Sequence, residues 1–253
     1  MEEIVLIILG LIIGSFLNVV IYRLPVKKSI VTPRSYCPRC QTKIKFYDNI
    51  PVISFLILRG KCRKCGSGIS VQYPLVEIFT AFSFWFSYRQ FGVSPLYAAF
   101  AIVFISILIA LALIDLKHMI LPDELTLGGG GVFLIFSFFH PEIGVADAFI
   151  TAFGSAMIFV GFYFFYLKVR KIEGLGFGDV KMMILLGAFL GIKKMVIALL
   201  LASISGLVVG VFIIIVKKKN LKLALPFGTF LSLGGYISLF WGRPILMFLQ
   251  SIY

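Results

Sequence analysis

The sequence predicts an all-α polytopic membrane protein of about eight transmembrane helices with a small zinc-bound cytoplasmic loop domain. Three observations predict it. Apolar residues make up 60% of the 253 residues and charged residues only 14%. Apolar runs long enough to cross a hydrocarbon core of ~30 Å recur along the chain. All four cysteines fall in one basic stretch between the first two runs. Lipid leaves no backbone polar group unsatisfied, so helices are the expected form, and the two-residue alternation of a membrane barrel is absent.

The spans read as 4–22, 75–92, 96–114, 124–139, 146–167, 180–192, 195–216 and 225–242. The first run opens on Met1-Glu2-Glu3 and closes on Tyr22-Arg23-Leu24-Pro25-Val26-Lys27-Lys28. A cleavable signal has the reverse charge order, so this run is a retained helix with Arg23 on the cytoplasmic side. Threading the other spans puts 20 of the 24 basic residues inside. Eleven lie between Arg23 and Lys64, followed by Lys117, Lys168, Arg170, Lys171, Lys181, Lys217, Lys218, Lys219 and Lys222. Only Arg89, Lys193, Lys194 and Arg243 fall outside. The expected topology is N-out and C-out, in the bacterial inner membrane. Orientation and anionic lipid then account for the net charge of +13, with no nucleic acid required.

Three segments follow: 1–22 as the first transmembrane helix, 23–74 as a cytoplasmic zinc-binding loop domain, and 75–253 as a multi-helix transmembrane domain. The loop carries one acid, Asp48, and is too short for a robust apolar core, so it needs a staple. Cys37-Pro38-Arg39-Cys40 and Cys62-Arg63-Lys64-Cys65 supply one. Two C-x-x-C pairs at this spacing can close a tetrahedral zinc site. Arg39, Lys61, Arg63 and Lys64 offset the charge of four thiolates. A closed four-sulfur site has no open position for catalysis. The alternatives are a redox pair, for which no thioredoxin-like pattern is visible, and a nucleic-acid-binding ribbon, for which Tyr36, Phe46 and Tyr47 give no stacking series. No internal repeat is evident. Gly128 to Gly131 lie within a span, as a close-packing stripe or a hinge.

The span 180–192 is short, since thirteen residues cover only ~20 Å. Either its helix starts before Val180, drawing Asp179 to the membrane edge, or the bilayer thins there. Asp179 closes Gly176-Phe177-Gly178-Asp179, and Asp115 closes the span 96–114 in Ile114-Asp115-Leu116-Lys117. Carboxylates at membrane boundaries are costly and tend to be functional. Each also has a plain structural role open to it. Asp115 can pair with Lys117 or His118, and Asp179 can favour a helix N-terminus. Asp123, after Pro122, reads as a helix cap. Together, Asp115 and Asp179 suit an aspartyl protease. Two close carboxylates cannot both ionise, so one activates water while the other keeps a proton and polarises the peptide carbonyl. His118 and His140 assemble no triad with a nucleophile.

The sequence resembles the type IV prepilin peptidases, also called leader peptidase/N-methyltransferases. The resemblance runs from Gly14-Ser15-Phe16-Leu17-Asn18-Val19 and Tyr22-Arg23-Leu24-Pro25, through both cysteine pairs, Asp48-Asn49-Ile50-Pro51, Arg59-Gly60-Lys61-Cys62 and Tyr73-Pro74-Leu75-Val76-Glu77, to Asp115 and Gly176-Phe177-Gly178-Asp179. One departure is Leu121, where Ile is more usual. The resemblance implies that Asp115 and Asp179 are the protease pair. It implies cleavage after a glycine that follows a short basic leader in prepilin or pseudopilin precursors. It also implies methyl transfer from S-adenosylmethionine to the new N-terminal amine, associated with the loop. No Gly-rich cofactor fingerprint is present, and Glu77, Asn49, Gly60, Lys61 and Arg23 are the candidate cofactor residues. Glu77 has the alternative of a salt bridge to Arg23, while Asn49 and Gly60 have that of turn residues. Two competing classes are a transporter using the aspartates as a relay and a scaffold whose zinc module binds a partner. Midplane carboxylates and repeat symmetry would favour the transporter, whereas the scaffold leaves the aspartate motifs unexplained.

Overall fold

The structure is a computed structural model that describes residues 1–170, 176–217 and 225–251. Lys171, Lys218, Lys219 and Lys222, counted above as inside charges, lie outside the described residues. The described residues form α1 (Glu2–Arg23), α2 (Ile53–Ile57), α3 (Gln72–Phe91), α4 (Pro95–His118), α5 (Asp123–Phe136), α6 (Val145–Arg170), α7 (Phe177–Lys217) and α8 (Phe227–Ser251). No strand occurs among the described residues; two isolated β-bridges lie in the cysteine loop. Among the described residues, four helical stretches are long and apolar enough to cross a membrane: Glu2–Val26, Pro95–His118, Val145–Val169 and Phe177–Val216. The chain divides into two compact units, Met1–Ala110 and Leu111–Tyr253.

In the first unit, α1 packs on α3. Gly10 and Gly14 stand one turn apart on α1. A Cβ at Gly10 would lie 2.5 Å from the Ala81 Cα, and one at Gly14 would lie 2.6 Å from the Glu77 Cα. This is a small-xxx-small contact that brings two backbones together. At the helix ends, Glu3 accepts from the Trp85 indole (3.1 Å) and pairs with Arg89 (3.0 Å), and Tyr88 donates to Glu2. A Gly10→Val enzyme is therefore expected to lose about 1–3 kcal/mol through overpacking. A Gly131→Ala enzyme should be near neutral, because that Cβ would meet nothing within 4 Å. Thermal unfolding of the two variants in detergent checks this contrast.

The cysteine loop holds a repeat that the sequence alone did not disclose. Residues 35–44 and 60–69, offset by 25, fold alike. Cys37 N–H donates to Thr42 O (3.0 Å) as Cys62 N–H donates to Ser67 O (2.8 Å). Ile44 N–H donates to Ser35 O (2.8 Å) as Ile69 N–H donates to Gly60 O (2.7 Å). Tyr36 bridges Lys43, and Lys61 bridges Gly68. Gln41 and Gly66, each four residues past the first cysteine, both take positive φ. Each segment is a β-knuckle. The loop's sole acid, Asp48, takes a bidentate ion pair from Arg63 (2.7 Å at Nη2), which holds its carboxyl below the ordinary range.

In the second unit, α7 packs against α5, α6 and α8. Glycines set these approaches. Gly130 of α5 faces Ile184, Gly187 of α7 faces Ala152 of α6, and Gly234 of α8 faces Ala198. The glycine run of α5 thus lies in an unbroken helix with Gly129 and Gly130 buried against neighbours, which is the packing role. The Phe133 and Phe189 rings meet at 4.7 Å, tilted by 51°, in this core. Helix α7 breaks once, at Gly191 (φ 66°, ψ 171°), which falls inside the expected span 180–192, next to its end. Its first half begins at Phe177, ahead of Val180, so Asp179 stands in the first turn.

Lys194, assigned to an outside segment, is buried. Its Nζ lies 2.6 Å from Glu142 Oε2, and Arg243 approaches the other oxygen at 3.3 Å. Burial pushes the nearby His140 down to about 4, so its ring is neutral. His140 Nδ1 accepts the Glu142 and Ile143 N–H groups.

Candidate functional site

Asp115 and Asp179 both belong to the second unit, and both are buried. They lie within electrostatic reach of one another. Asp115 is on the last turn of α4, and Asp179 is on the first turn of α7. Lys117 and His118 are exposed and do not pair with Asp115. The partner of Asp115 is Thr229, at the start of α8. Thr229 N–H donates to Asp115 Oδ2 at 2.8 Å, and its hydroxyl lies 3.2 Å from the same oxygen. That hydroxyl also lies 3.0 Å from the Ala112 carbonyl. Asp179 accepts from Gly176 N–H, and its own N–H donates to Gly176 O at 3.0 Å. The Asp179 side chain makes the N3-to-N-cap half of a capping box, while glycine has no side chain to make the other half.

Leu121 closes the floor between the two helices. A Cβ at Gly178 would lie 3.1 Å from the Leu121 Cβ, and one at Gly228 would lie 2.9 Å from its δ-carbons and 3.0 Å from Asp115 Oδ2. Both glycines leave room for Leu121 and the carboxyl groups. Asp123 is exposed and pairs with Lys181 Nζ at 2.5 Å, so its carboxylate ties α5 to α7 rather than closing a cap. Sequence reasoning missed Gly228 and Thr229. The only available signal was a Pro226-Phe227-Gly228-Thr229 helix start.

In the first unit, the four cysteine sulfurs lie within 4.8 Å of one another, and all four are free thiols. Cys37 Sγ stands 3.8 Å from Cys65 Sγ. Four sulfurs at ~2.3 Å from one zinc ion are ~3.8 Å apart in a tetrahedron, so the residues fit the ion. The Cys37 thiol is pulled down to about 6 by the Cys40 N–H, then by the Ser67 hydroxyl and the Arg39 N–H.

Beside the knuckles is a cavity of about 660 Å³ whose lining includes Asn18, Arg23, Asn49, Cys37, Cys62 and Glu77. Gly60 and Lys61 are not among its lining residues. Gly60 has φ 67° and turns the chain after α2, its N–H donating to Phe55 O at 2.9 Å. Glu77 is buried and accepts the Val52 N–H at 2.7 Å, with the Ser15 hydroxyl also in reach. No ion pair joins Glu77 to Arg23 among the described residues. Arg23 instead donates to Ser29 O at 3.0 Å. Asn18, also missed, is buried; its amide donates to Gly14 O (3.2 Å) and Tyr73 O (3.1 Å) while its Oδ1 has no partner.

Comparison with known proteins adds the following. Residues 8–91 match the model of the bacterial peptidase A24 N-terminal domain, and residues 102–211 match that of the type IV leader peptidase family. A prepilin leader peptidase/N-methyltransferase of Aeromonas salmonicida (strain A449) is 35% identical over 264 residues, covering 93% of this chain and 89% of its own. This chain belongs to the type IV leader peptidase family. Other family members of the same name are 35% identical in Legionella pneumophila (94% of this chain, 90% of theirs) and 44% identical over 217 residues in Myxococcus xanthus (83% and 62%). No solved structure matches. The cysteines, Asn18 and Glu77 fall within the first matched segment and both aspartates within the second. Gly228 and Thr229 lie beyond both.

Proposed function

We propose that this chain is a membrane-embedded aspartyl endopeptidase that removes the basic leader of type IV prepilin-like precursors after a glycine and then N-methylates the new N-terminal residue. The observation that carries the peptidase reading is the pair of buried helix-end carboxylates, Asp115 and Asp179, within reach of each other. One ionised carboxylate takes a proton from water as the oxygen attacks the scissile carbonyl. The other donates its proton to the carbonyl oxygen. No covalent intermediate is needed. The transporter reading is disfavoured because both acids stand at helix ends rather than mid-helix.

The eight-span, N-out, C-out topology belongs to the same proposal. Helices cover the expected spans, with α7 covering both 180–192 and 195–216 and breaking at Gly191. Lys194 and Arg243, both assigned outside, converge on Glu142, whereas Lys181, assigned inside, pairs with Asp123. In this topology both activities face the cytoplasm of a bacterial inner membrane. The partners are then the bilayer and prepilin or pseudopilin precursors, with no nucleic acid.

Cys37, Cys40, Cys62 and Cys65 would hold one structural zinc ion. The ion closes the knuckles and has no open position for substrate. The methyl donor would be S-adenosylmethionine, whose sulfonium supplies the methyl group. The cavity falls in the size range of small-molecule sites. Glu77, without a cationic partner, suits an incoming amine or sulfonium, and Asn18 offers a free acceptor beside it. Arg23 and Asn49 complete the candidate set on the cavity wall, while Gly60 and Lys61 would act by shaping the loop. The test is purified enzyme with a prepilin and methyl-labelled S-adenosylmethionine, scored for cleavage and label together. Glu77→Gln is expected to keep cleavage and lose at least about tenfold in methylation of pre-cleaved pilin, since one charged contact is worth that much. Wild-type methylation by this variant would remove Glu77 from the site.

A further inference from the structure

The two carboxyl groups are not equivalent. Asp115 faces the N-terminus of a helix other than its own. Helix α8 begins at Phe227, so the N–H groups of Gly228 and Thr229 belong to its first turn, where Thr229 N–H also reaches Pro226 O, at 3.2 Å. Both are directed at Asp115: Thr229 N–H at 2.8 Å, with Gly228 N–H also in reach. The Thr229 hydroxyl is a third donor, at 3.2 Å. Its alternative acceptor, Ala112 O at 3.0 Å, is on the helix that carries Asp115, so the threonine holds that carboxyl whichever acceptor it serves. Among the described residues, the contact of this kind at Asp179 comes from Gly176 N–H. Hydrogen bonds from neutral donors favour a negative charge at the acceptor. A helix N-terminus does so too, but Asp179 stands in the first turn of α7, so the number of donors is what separates the two groups.

We infer that Thr229 is a positioning residue that fixes Asp115 as the ionised general base, leaving Asp179 as the protonated acid. This rests on the aspartyl-protease reading above. In the step, a water O–H bond breaks and its proton passes to Asp115 as the water oxygen bonds to the scissile carbon. The Asp179 proton passes to the carbonyl oxygen, giving a gem-diol. On collapse the C–N bond breaks, the proton on Asp115 goes to the leaving amine, and a gem-diol hydroxyl returns a proton to Asp179. Both groups end as they began. Residue 229 lies outside both segments matched by the family, so the contact is found only by the fold.

The test is the pH profile of prepilin cleavage by purified full-length enzyme, with kcat and KM measured separately, for wild type, Thr229→Val and Thr229→Ser. Valine removes the hydroxyl and keeps the N–H donor. The acid limb of a bell-shaped profile reports loss of the ionised base. Losing a donor to that anion should move the acid limb of Thr229→Val to higher pH by about one unit. kcat should fall about tenfold on that limb, KM should be little changed, and serine should restore the wild-type limb. A merely structural threonine would scale the whole profile down without moving either limb, and that result overturns the inference. Movement of the basic limb alone would reverse the roles and also overturn it. An unmoved acid limb together with an inactive Asp115→Asn enzyme defeats only this inference, whereas an active Asp115→Asn enzyme defeats the protease reading itself.

Discussion

Asp115→Asn and Asp179→Asn enzymes are each expected to lose prepilin cleavage by at least about 10²–10⁴-fold, the range that a positioned acid or base contributes. The reason is the division of labour between two buried groups at facing helix ends. An amide in place of either one can neither take the proton of water nor give a proton to the carbonyl. The substitution is close to isosteric. At position 115 the amide oxygen can still accept the Thr229 donors, so the helix ends should stay in place. Membrane insertion and detergent-phase elution should therefore match wild type while a cleavage gel shows uncut prepilin. Near-normal cleavage by either folded variant would break the dyad.

Loss of zinc is expected to have the second largest effect. Purified enzyme never exposed to chelator should carry close to one zinc per chain. Cys37→Ser or Cys65→Ser should abolish stoichiometric metal and leave the loop open to proteolysis. The loop depends on the ion for a physical reason. Its two knuckles share few apolar contacts, and Phe46, Ile53, Leu56 and Ile57 are exposed, so the four sulfurs are what join the repeats. Binding energy at such a site is folding energy. Cys37 and Cys62 also form part of the cavity wall beside Glu77, so methyl transfer should fall at least as far as cleavage. Native enzyme with stoichiometric disulfides and no metal would overturn this account.

Much of this architecture was legible in the residues because the membrane simplifies the code. Apolar runs marked where helices lie, and the helix-end carboxylates stood out against them. The cysteine spacing foretold a cluster of four sulfurs, as the fold has it. What stayed hidden is tertiary. Thr229 is 114 residues from Asp115, and nothing local ties a threonine in a helix first turn to a distant carboxylate. Asn18 sits in an apolar run where its unpaired oxygen has no sequence signature. The 25-residue repeat escaped notice because its two copies, SYCPRCQTKI and GKCRKCGSGI, share backbone hydrogen bonds more than side chains. Position 41 takes its positive φ as glutamine where position 66 uses glycine, which removes the expected clue. The burial of Lys194 was hidden for the same reason as the Thr229 contact, because its partner, Glu142, is 52 residues away.

The central claim is that peptide cleavage and methyl transfer use two separate carboxylate centres, Asp115 with Asp179 and the cavity at Glu77. The most direct test supplies pre-cleaved pilin and methyl-labelled S-adenosylmethionine to the purified Asp179→Asn enzyme. The account predicts methyl incorporation at close to the wild-type rate by an enzyme that leaves intact prepilin uncut. Loss of methylation together with cleavage, in a variant that retains its zinc and its fold, would contradict it.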